Sequence, residues 1–236
     1  MRVLGIDTSL PTGTVGLIDG GHILYEKGIP IRPGGGERIP ALIDKAFQVV
    51  GWRPEYLDLV AVGRGPGSYT GIRVGLAIGK GIAYSLGIPL VGVSTLLALA
   101  ANNPGWPGLV CPVLDARRGM VYTALYLHKE QGNWVELRPP ELGPLAELTA
   151  ELKKEKTPLL FVGDGARLYR EEIATALGPA AVFQDREEGE TDQANGGVVA
   201  FLGLLRWQEK RKDELFTCLP LYLQRTEAEI RWGKGE

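Results

Sequence analysis

Ala61-Val62-Gly63-Arg64-Gly65-Pro66-Gly67-Ser68-Tyr69-Thr70-Gly71-Ile72-Arg73-Val74-Gly75 reads as the end of a buried strand, a glycine-dense turn and the start of a helix. Such a loop turns backbone N–H groups toward a helix N-terminus, where an anion is favoured. No nucleotide signature fits it. A Walker A loop needs four residues between its first glycine and Gly-Lys, then Ser or Thr; Gly75-Leu76-Ala77-Ile78-Gly79-Lys80-Gly81 has three and then Gly. The dinucleotide pattern fails as well, because Gly65, Gly67 and Gly71 lie two and four residues apart. The segment is therefore either an uncommon phosphate loop or a packing device.

Strand and helix signals alternate outward from this stretch. Upstream, Val3 to Asp7 reads as a short apolar strand. Asp19-Gly20-Gly21-His22 is a hairpin turn between strands at Thr14–Asp19 and Ile23–Lys27, since glycine accepts positive φ. A loop is expected over Pro30–Gly36. Ile39, Leu42, Ile43, Ala46, Phe47 and Val50 follow helical spacing, with Pro40 in the first turn and Gly51 past the end. Downstream, a strand at Leu57–Val62 leads into the glycine loop, and Ile72–Leu86 is a second helix stopped by Gly87 and Pro89. Leu90–Val93 is a strand, and Thr95–Ala101 a helix capped by Ser94.

The turn cluster Asn102-Asn103-Pro104-Gly105-Trp106-Pro107-Gly108 is the expected hinge. It divides an N-terminal lobe, 1–103, from a second lobe, 104–193, with a C-terminal helix and tail, 194–236, that crosses back to the first lobe. In the second lobe, strands are expected at Leu109–Leu114, Val121–Leu127 and Leu159–Val162, with helices at Pro144–Lys154 and from Gly165 to Leu177. The last helix is Val198–Lys210. No strict internal repeat is visible, although each lobe holds a strand, a glycine-rich turn and a helix.

Composition excludes several classes. The formal net charge of -2 supplies no basic field for capturing nucleic acid at long range, so any RNA contact is local or shared with a partner. Cys111 and Cys218 have no metal-ligand spacing and form no disulfide framework; they read as small buried residues of a reducing compartment. Asp7 ends the N-terminal apolar run, which therefore reads as a strand and not a signal peptide. No window approaches a membrane span, and a cytoplasmic protein is expected.

Catalytic equipment is sparse. His22 in a hairpin turn and His128 beside Lys129 and Glu130 both read as solvated. There is no His-x-x-x-His, no Cys-His cluster and no nucleophile elbow. Asp7, Thr8 and Ser9 could hold a hydrated magnesium and a phosphate, or form a turn through local hydrogen bonds. Gly163, Asp164 and Gly165 could be the matching loop of a second lobe, or another turn. Together the two loops make a candidate ATP or ADP cleft with Mg2+, although no cofactor is required. Arg117 and Arg118 suit a phosphate, an acidic partner or a solvated turn, and Lys210-Arg211-Lys212 reads as a helix surface.

The second helix carries Gly71, Gly75, Gly79 and Ala83 on one stripe. An interior glycine costs roughly 0.5–1 kcal/mol against alanine, so close contacts must offset it. The stripe packs on the chain's own sheet or first helix, or on another protein; Ala41 and Val49, which widen the apolar face of the first helix, favour the latter.

Val3 to Ser9, the glycine segment Val62–Gly75, Ile88 to Ser94, Leu114-Asp115-Ala116-Arg117-Arg118-Gly119 and Pro220-Leu221-Tyr222-Leu223 together resemble the TsaB family, also called YeaZ. The likeness runs over almost the whole chain. It implies an α/β, two-lobed fold of the actin, sugar-kinase and Hsp70 type, with ribonuclease-H-like lobes and mixed sheets. It implies a part in making threonylcarbamoyladenosine at position 37 of tRNAs that read codons beginning with A. The role implied is that of a non-catalytic partner of a TsaD-like transferase, joined by a TsaE-like ATPase, with tRNA engaged indirectly. A small ATPase or kinase-like enzyme of the same fold is the alternative.

TsaD-like proteins carry a His-x-x-x-His metal pair where this chain has Thr95 and Leu99, so no metal site is expected. TsaB-like chains often place His-Ser before the first helix, where this one has Gly35-Gly36. The resemblance also implies that the first two helices pair with those of TsaD, or with a second copy when TsaD is absent, the two uses being mutually exclusive. The interface expected is Ile39, Leu42, Ile43, Ala46 and Phe47 on the first helix with Val74, Gly75, Ile78, Gly79 and Ile82 on the second.

Overall fold

The structure, a computed structural model, describes residues 1–31, 38–129, 133–155, 157–184 and 192–224. Most of the loop expected at 30–36, with its Gly35-Gly36 departure, lies outside them. Ten strands and seven α-helices are present among the described residues: β1 (Arg2–Asp7), β2 (Thr12–Asp19), β3 (His22–Pro30), α1 (Arg38–Val50), β4 (Leu59–Gly63), α2 (Tyr69–Leu86), β5 (Leu90–Val93), α3 (Thr95–Ala101), β6 (Leu109–Asp115), β7 (Met120–His128), β8 (Trp134–Pro144), α4 (Leu145–Leu152), β9 (Leu159–Val162), α5 (Asp164–Leu168), α6 (Arg170–Leu177), β10 (Ala181–Phe183) and α7 (Gly196–Lys210).

The strands form two sheets of five, ordered β3-β2-β1-β4-β5 and β10-β9-β6-β7-β8. In each, the first three strands in sequence run antiparallel as a meander, and the fourth and fifth join in parallel beside the first. The two lobes therefore share one topology, a repeat the sequence does not display. Two strands carry no signal in the reading above. β8 holds Pro139 and Pro140, which an edge strand tolerates because its outer N–H groups need no partner. β10 has only three residues. The single helix expected from Gly165 to Leu177 breaks at Tyr169, whose φ of -103° and ψ of 21° leave the helical well and separate α5 from α6.

Alternation along the strands sorts the core. In β1, Leu4 and Ile6 face outward with Val15 and Leu17 of β2, under α1. Val3 faces the other way, into a core that continues through Ala61, Val91, Leu96 and Leu99 to Val110, Leu114, Tyr126 and Leu160 of the second lobe. Helices α3 and α7 are the filling of that shared core. α7 lies across β1, β2, β4 and β5, and α3 meets β6 and β7. α7 approaches closely because glycines meet: a Cβ on Gly5 would fall 2.0 Å from the Gly196 carbonyl oxygen.

α1 and α2 cover the outer face of the first sheet, over β2 and β3 and over β4 respectively. Both end on a left-handed glycine, Gly51 (φ 73°) and Gly87 (φ 65°). Each end is closed by a bond from the following residue's N–H back to the helix, Trp52 to the Phe47 carbonyl (3.0 Å) and Ile88 to the Ala83 carbonyl (3.0 Å). Beyond α7 the chain returns along β5. Leu90 N–H donates to Asp213 Oδ1 (3.0 Å), Gly92 N–H to Glu214 Oε2 (2.9 Å), and Glu214 N–H to the Leu90 carbonyl (2.8 Å), so this edge strand is covered.

Candidate functional site

β1, β4 and β5 end together, and their C-terminal ends build one hydrogen-bonded knot. Asp7 closes β1. Its Oδ1 accepts the Ser9 N–H (2.7 Å) and its Oδ2 accepts the Thr95 hydroxyl (2.7 Å). Thr95 Oγ1 in turn accepts the Gly65 N–H (3.2 Å) and lies 3.1 Å from Ser9 Oγ. Thr8 donates to the Gly71 carbonyl (2.7 Å), and Ser68 N–H donates to the Ser9 carbonyl (2.7 Å). Burial disfavours the Asp7 carboxylate and pushes its pKa from 3.8 to about 6, against the opposing Ser9 N–H and the Thr95 and Ser9 hydroxyls.

The glycine segment wraps this turn. A Cβ on Gly63 would stand 1.8 Å from Asp7 Oδ2, one on Gly67 2.2 Å from the Ser9 carbonyl oxygen, and one on Gly71 2.0 Å from the Thr8 carbonyl oxygen. Here the segment is a packing device. Asp7, Thr8 and Ser9 are each 1% exposed, so the nucleotide reading finds no free group among them.

The second lobe repeats the arrangement. Asp115 closes β6 as Asp7 closes β1, and its Oδ1 accepts the Arg117 N–H (2.8 Å) together with the Tyr169 hydroxyl (3.0 Å). Gly163 follows β9 as Gly63 ends β4; its φ is 99°, and a Cβ there would sit 2.5 Å from the Val113 carbonyl oxygen. Asp164 accepts the Asp115 N–H (3.1 Å), and its pKa is raised by burial. Gly165 packs on the Leu114–Asp115 backbone. Gly163 is thus the residue before α5, and Asp164 and Gly165 are its first turn, packed on the end of β6. The sequence reading missed the pairing of Asp7 with Thr95 and the equivalence of Asp7 and Asp115; a short Asp at the end of each lobe's first strand was the available signal.

Arg117 (φ 68°) and Arg118 (φ 56°) form the exposed, left-handed turn between β6 and β7. His128 is half-buried and stacked on Trp134 with ring centroids 4.6 Å apart, in place of the solvated position expected. Leu99 is fully buried in the shared core, and Thr95 is engaged by Asp7, so these two positions do not fit a metal.

The expected interface residues divide. Ile39, Leu42, Ile43, Ala46 and Phe47 are buried against β1 and β2. Gly75 and Gly79 lie on the buried side of α2, where added Cβ atoms would stand 2.3 Å from Thr8 Oγ1 and 2.3 Å from Val62 Cγ2. These seven pack within the lobe, with Leu42 and Phe47 each 7% exposed. Val74, Ile78 and Ile82 stay half-buried. The outward face of α2 is Thr70, Val74, Ala77 and Gly81, and a Cβ on Gly81 would meet nothing within 4 Å.

The profile of the family described as TsaD, tRNA N6-adenosine threonylcarbamoyltransferase, matches residues 36–232. The tRNA threonylcarbamoyladenosine biosynthesis protein TsaB of Bacillus subtilis is 34% identical over 238 residues, covering 100% of both chains. YeaZ from Pseudomonas aeruginosa superposes with a TM-score of 0.77 at 23% identity, over 94% of this chain and 99% of that one. A ROK hexokinase from Thermus thermophilus superposes with a TM-score of 0.53 at 14% identity, over 89% of this chain and 100% of that one, a likeness of fold alone. Two lobes of this topology define an α/β protein of the actin and sugar-kinase fold class. The chain belongs to the TsaB (YeaZ) family of tRNA threonylcarbamoyladenosine biosynthesis.

Proposed function

We propose that this chain is a non-catalytic scaffold subunit that binds and activates a TsaD-like transferase through the outward face of α2, flanked by Ala41 and Val49 of α1. The observation that carries the reading is Gly81. It sits inside an 18-residue helix, where glycine costs about 1 kcal/mol, yet its own fold leaves open space over it. A second backbone approaching closely there would explain the residue. Thr70, Val74 and Ala77 continue the same stripe, and Val49 of α1 is 59% exposed. The absence of metal-ligating side chains at Thr95 and Leu99 supports a subunit without its own catalysis. In this reading a second copy of the chain takes the face when the transferase is missing, a TsaE-like ATPase joins the pair, and the subunit works in the cytoplasm. The kinase-like alternative has no observation in its favour, since Asp7 is enclosed.

Sedimentation of the chain alone and mixed with the TsaD-like protein of the same organism tests the proposal. We expect a homodimer that converts to a one-to-one heterodimer. Gly81→Leu should keep the fold and abolish both associations; normal association by that variant would overturn the assignment of the face. Gly79→Leu is unsuitable as a probe, because its side chain would collide with Val62.

A further inference from the structure

About 90° around α2 from the outward stripe lies another face, made by Tyr69, Arg73, Lys80 and Tyr84. The C-terminal segment runs antiparallel beside it. Phe216 meets Tyr84 edge-on with ring centroids 6.4 Å apart, and Tyr222 stacks on Tyr69 at 4.7 Å. Arg73 is clasped at the same end: its guanidinium lies 4.0 Å over the Tyr69 ring, its Nε donates to the Tyr222 hydroxyl (2.7 Å), and its Nη2 donates to the Tyr69 hydroxyl. The phenols fix this cation without neutralising it. Arg73 and Lys80 make no ion pair among the described residues.

The charge pattern is local. The chain as a whole is net negative, at -2, yet neither α2 nor residues 215–224 contain an Asp or Glu. Glu214, the carboxylate just before this segment in sequence, is held by Arg206 and the Gly92 N–H. The aromatic rings are large and outward: Phe216 is 79% exposed, Tyr84 71%, Tyr69 40% and Tyr222 39%. Unpaired cations interleaved with exposed rings along about 22 Å of helix match a strand with alternating phosphates and bases. An acidic protein surface would use the cations and leave the rings unexplained.

We infer that the seam between α2 and the C-terminal segment is a track for single-stranded RNA. The inference rests on the family's place in tRNA modification for its choice of nucleic acid, and it adds a direct RNA contact to the scaffold. Bases stack on Phe216–Tyr84 at one end and on Tyr222–Tyr69 at the other, while Lys80 and Arg73 take phosphates.

The test is fluorescence anisotropy of the full chain with a labelled ten-nucleotide single-stranded RNA of mixed sequence. Competitors are an RNA duplex of equal length and polyglutamate. We expect binding that weakens with salt, displacement by single strand ahead of duplex, and little displacement by polyglutamate. Phe216→Ala and Tyr84→Ala, whose rings are mostly in solvent, should each weaken binding roughly tenfold with unchanged melting. Arg73→Glu should weaken it and flatten the salt dependence by about 0.7. No binding, binding indifferent to these variants, or displacement by polyglutamate as effective as by RNA would overturn the inference. Because the chain is used alone, loss of the TsaD-like partner in sedimentation would sink the scaffold reading and leave this result standing.

Discussion

Asp7 is a carboxylate enclosed at a strand end, 1% exposed, with a folded pKa near 6 against 3.8. The folded chain therefore holds this proton more tightly than the unfolded chain does. The group's contribution to stability is fully present below 3.8 and is lost as pH rises through about 6. The size of that loss is about 3 kcal/mol. Asp7→Asn keeps an acceptor for the Ser9 N–H and removes the charge. Relative to the native chain, the variant should gain about 2 kcal/mol between pH 4 and pH 7 in urea unfolding. A difference independent of pH would show that Asp7 is not enclosed as described.

At the scale of the element, α2 is two helices in one. Gly79 faces Val62 and Gly81 faces open space, two residues apart. Gly79→Ala should destabilise by about 1–3 kcal/mol through overpacking. Gly81→Ala should stabilise by roughly 0.5–1 kcal/mol through helix propensity. Equal effects in chemical unfolding would contradict the orientation of the helix. Helix α1 makes the complementary point. Its five buried side chains follow helical spacing and were visible as an apolar stripe, each large one contributing about 1.5–3 kcal/mol on burial. Periodicity identified the stripe but not its partner, because a sheet and a second protein present the same apolar surface.

Across the whole molecule, α3 and α7 join the lobes. One core runs from Val3 and Val91 to Tyr126 and Leu160, and Tyr122 donates to Gln224 (3.0 Å) across the same junction. Neither sheet keeps its inner face covered without these helices. Thermal unfolding should therefore be one transition, coincident by tryptophan fluorescence and far-UV circular dichroism. Two separated transitions would show lobes that fold independently. The hinge cluster 102–108 does mark a change of sheet, between β5 and β6. Leu96, Leu99 and Ala100, just before it, are buried in the shared core.

Local chemistry determined much of this protein by itself. Apolar runs, the Gly20-Gly21 turn, the Ser94 cap and the glycine stops at Gly51 and Gly87 set most elements, because each depends on neighbours a few residues away. The glycine segment with Asp115-Ala116-Arg117-Arg118-Gly119 also carried the family. Tertiary structure alone decided what the glycines are for. Gly63, Gly67 and Gly71 read equally as phosphate ligands or packing, and only the Asp7–Ser9 turn inside the loop makes them packing. It alone joined Tyr69 and Arg73 to Tyr222, 149 residues from Arg73, since contacts between distant segments leave no periodic trace in either one. The equal topology of the two lobes was hidden for the same reason: strand order is a property of pairing, and pairing is not written in the spacing of residues along a single strand.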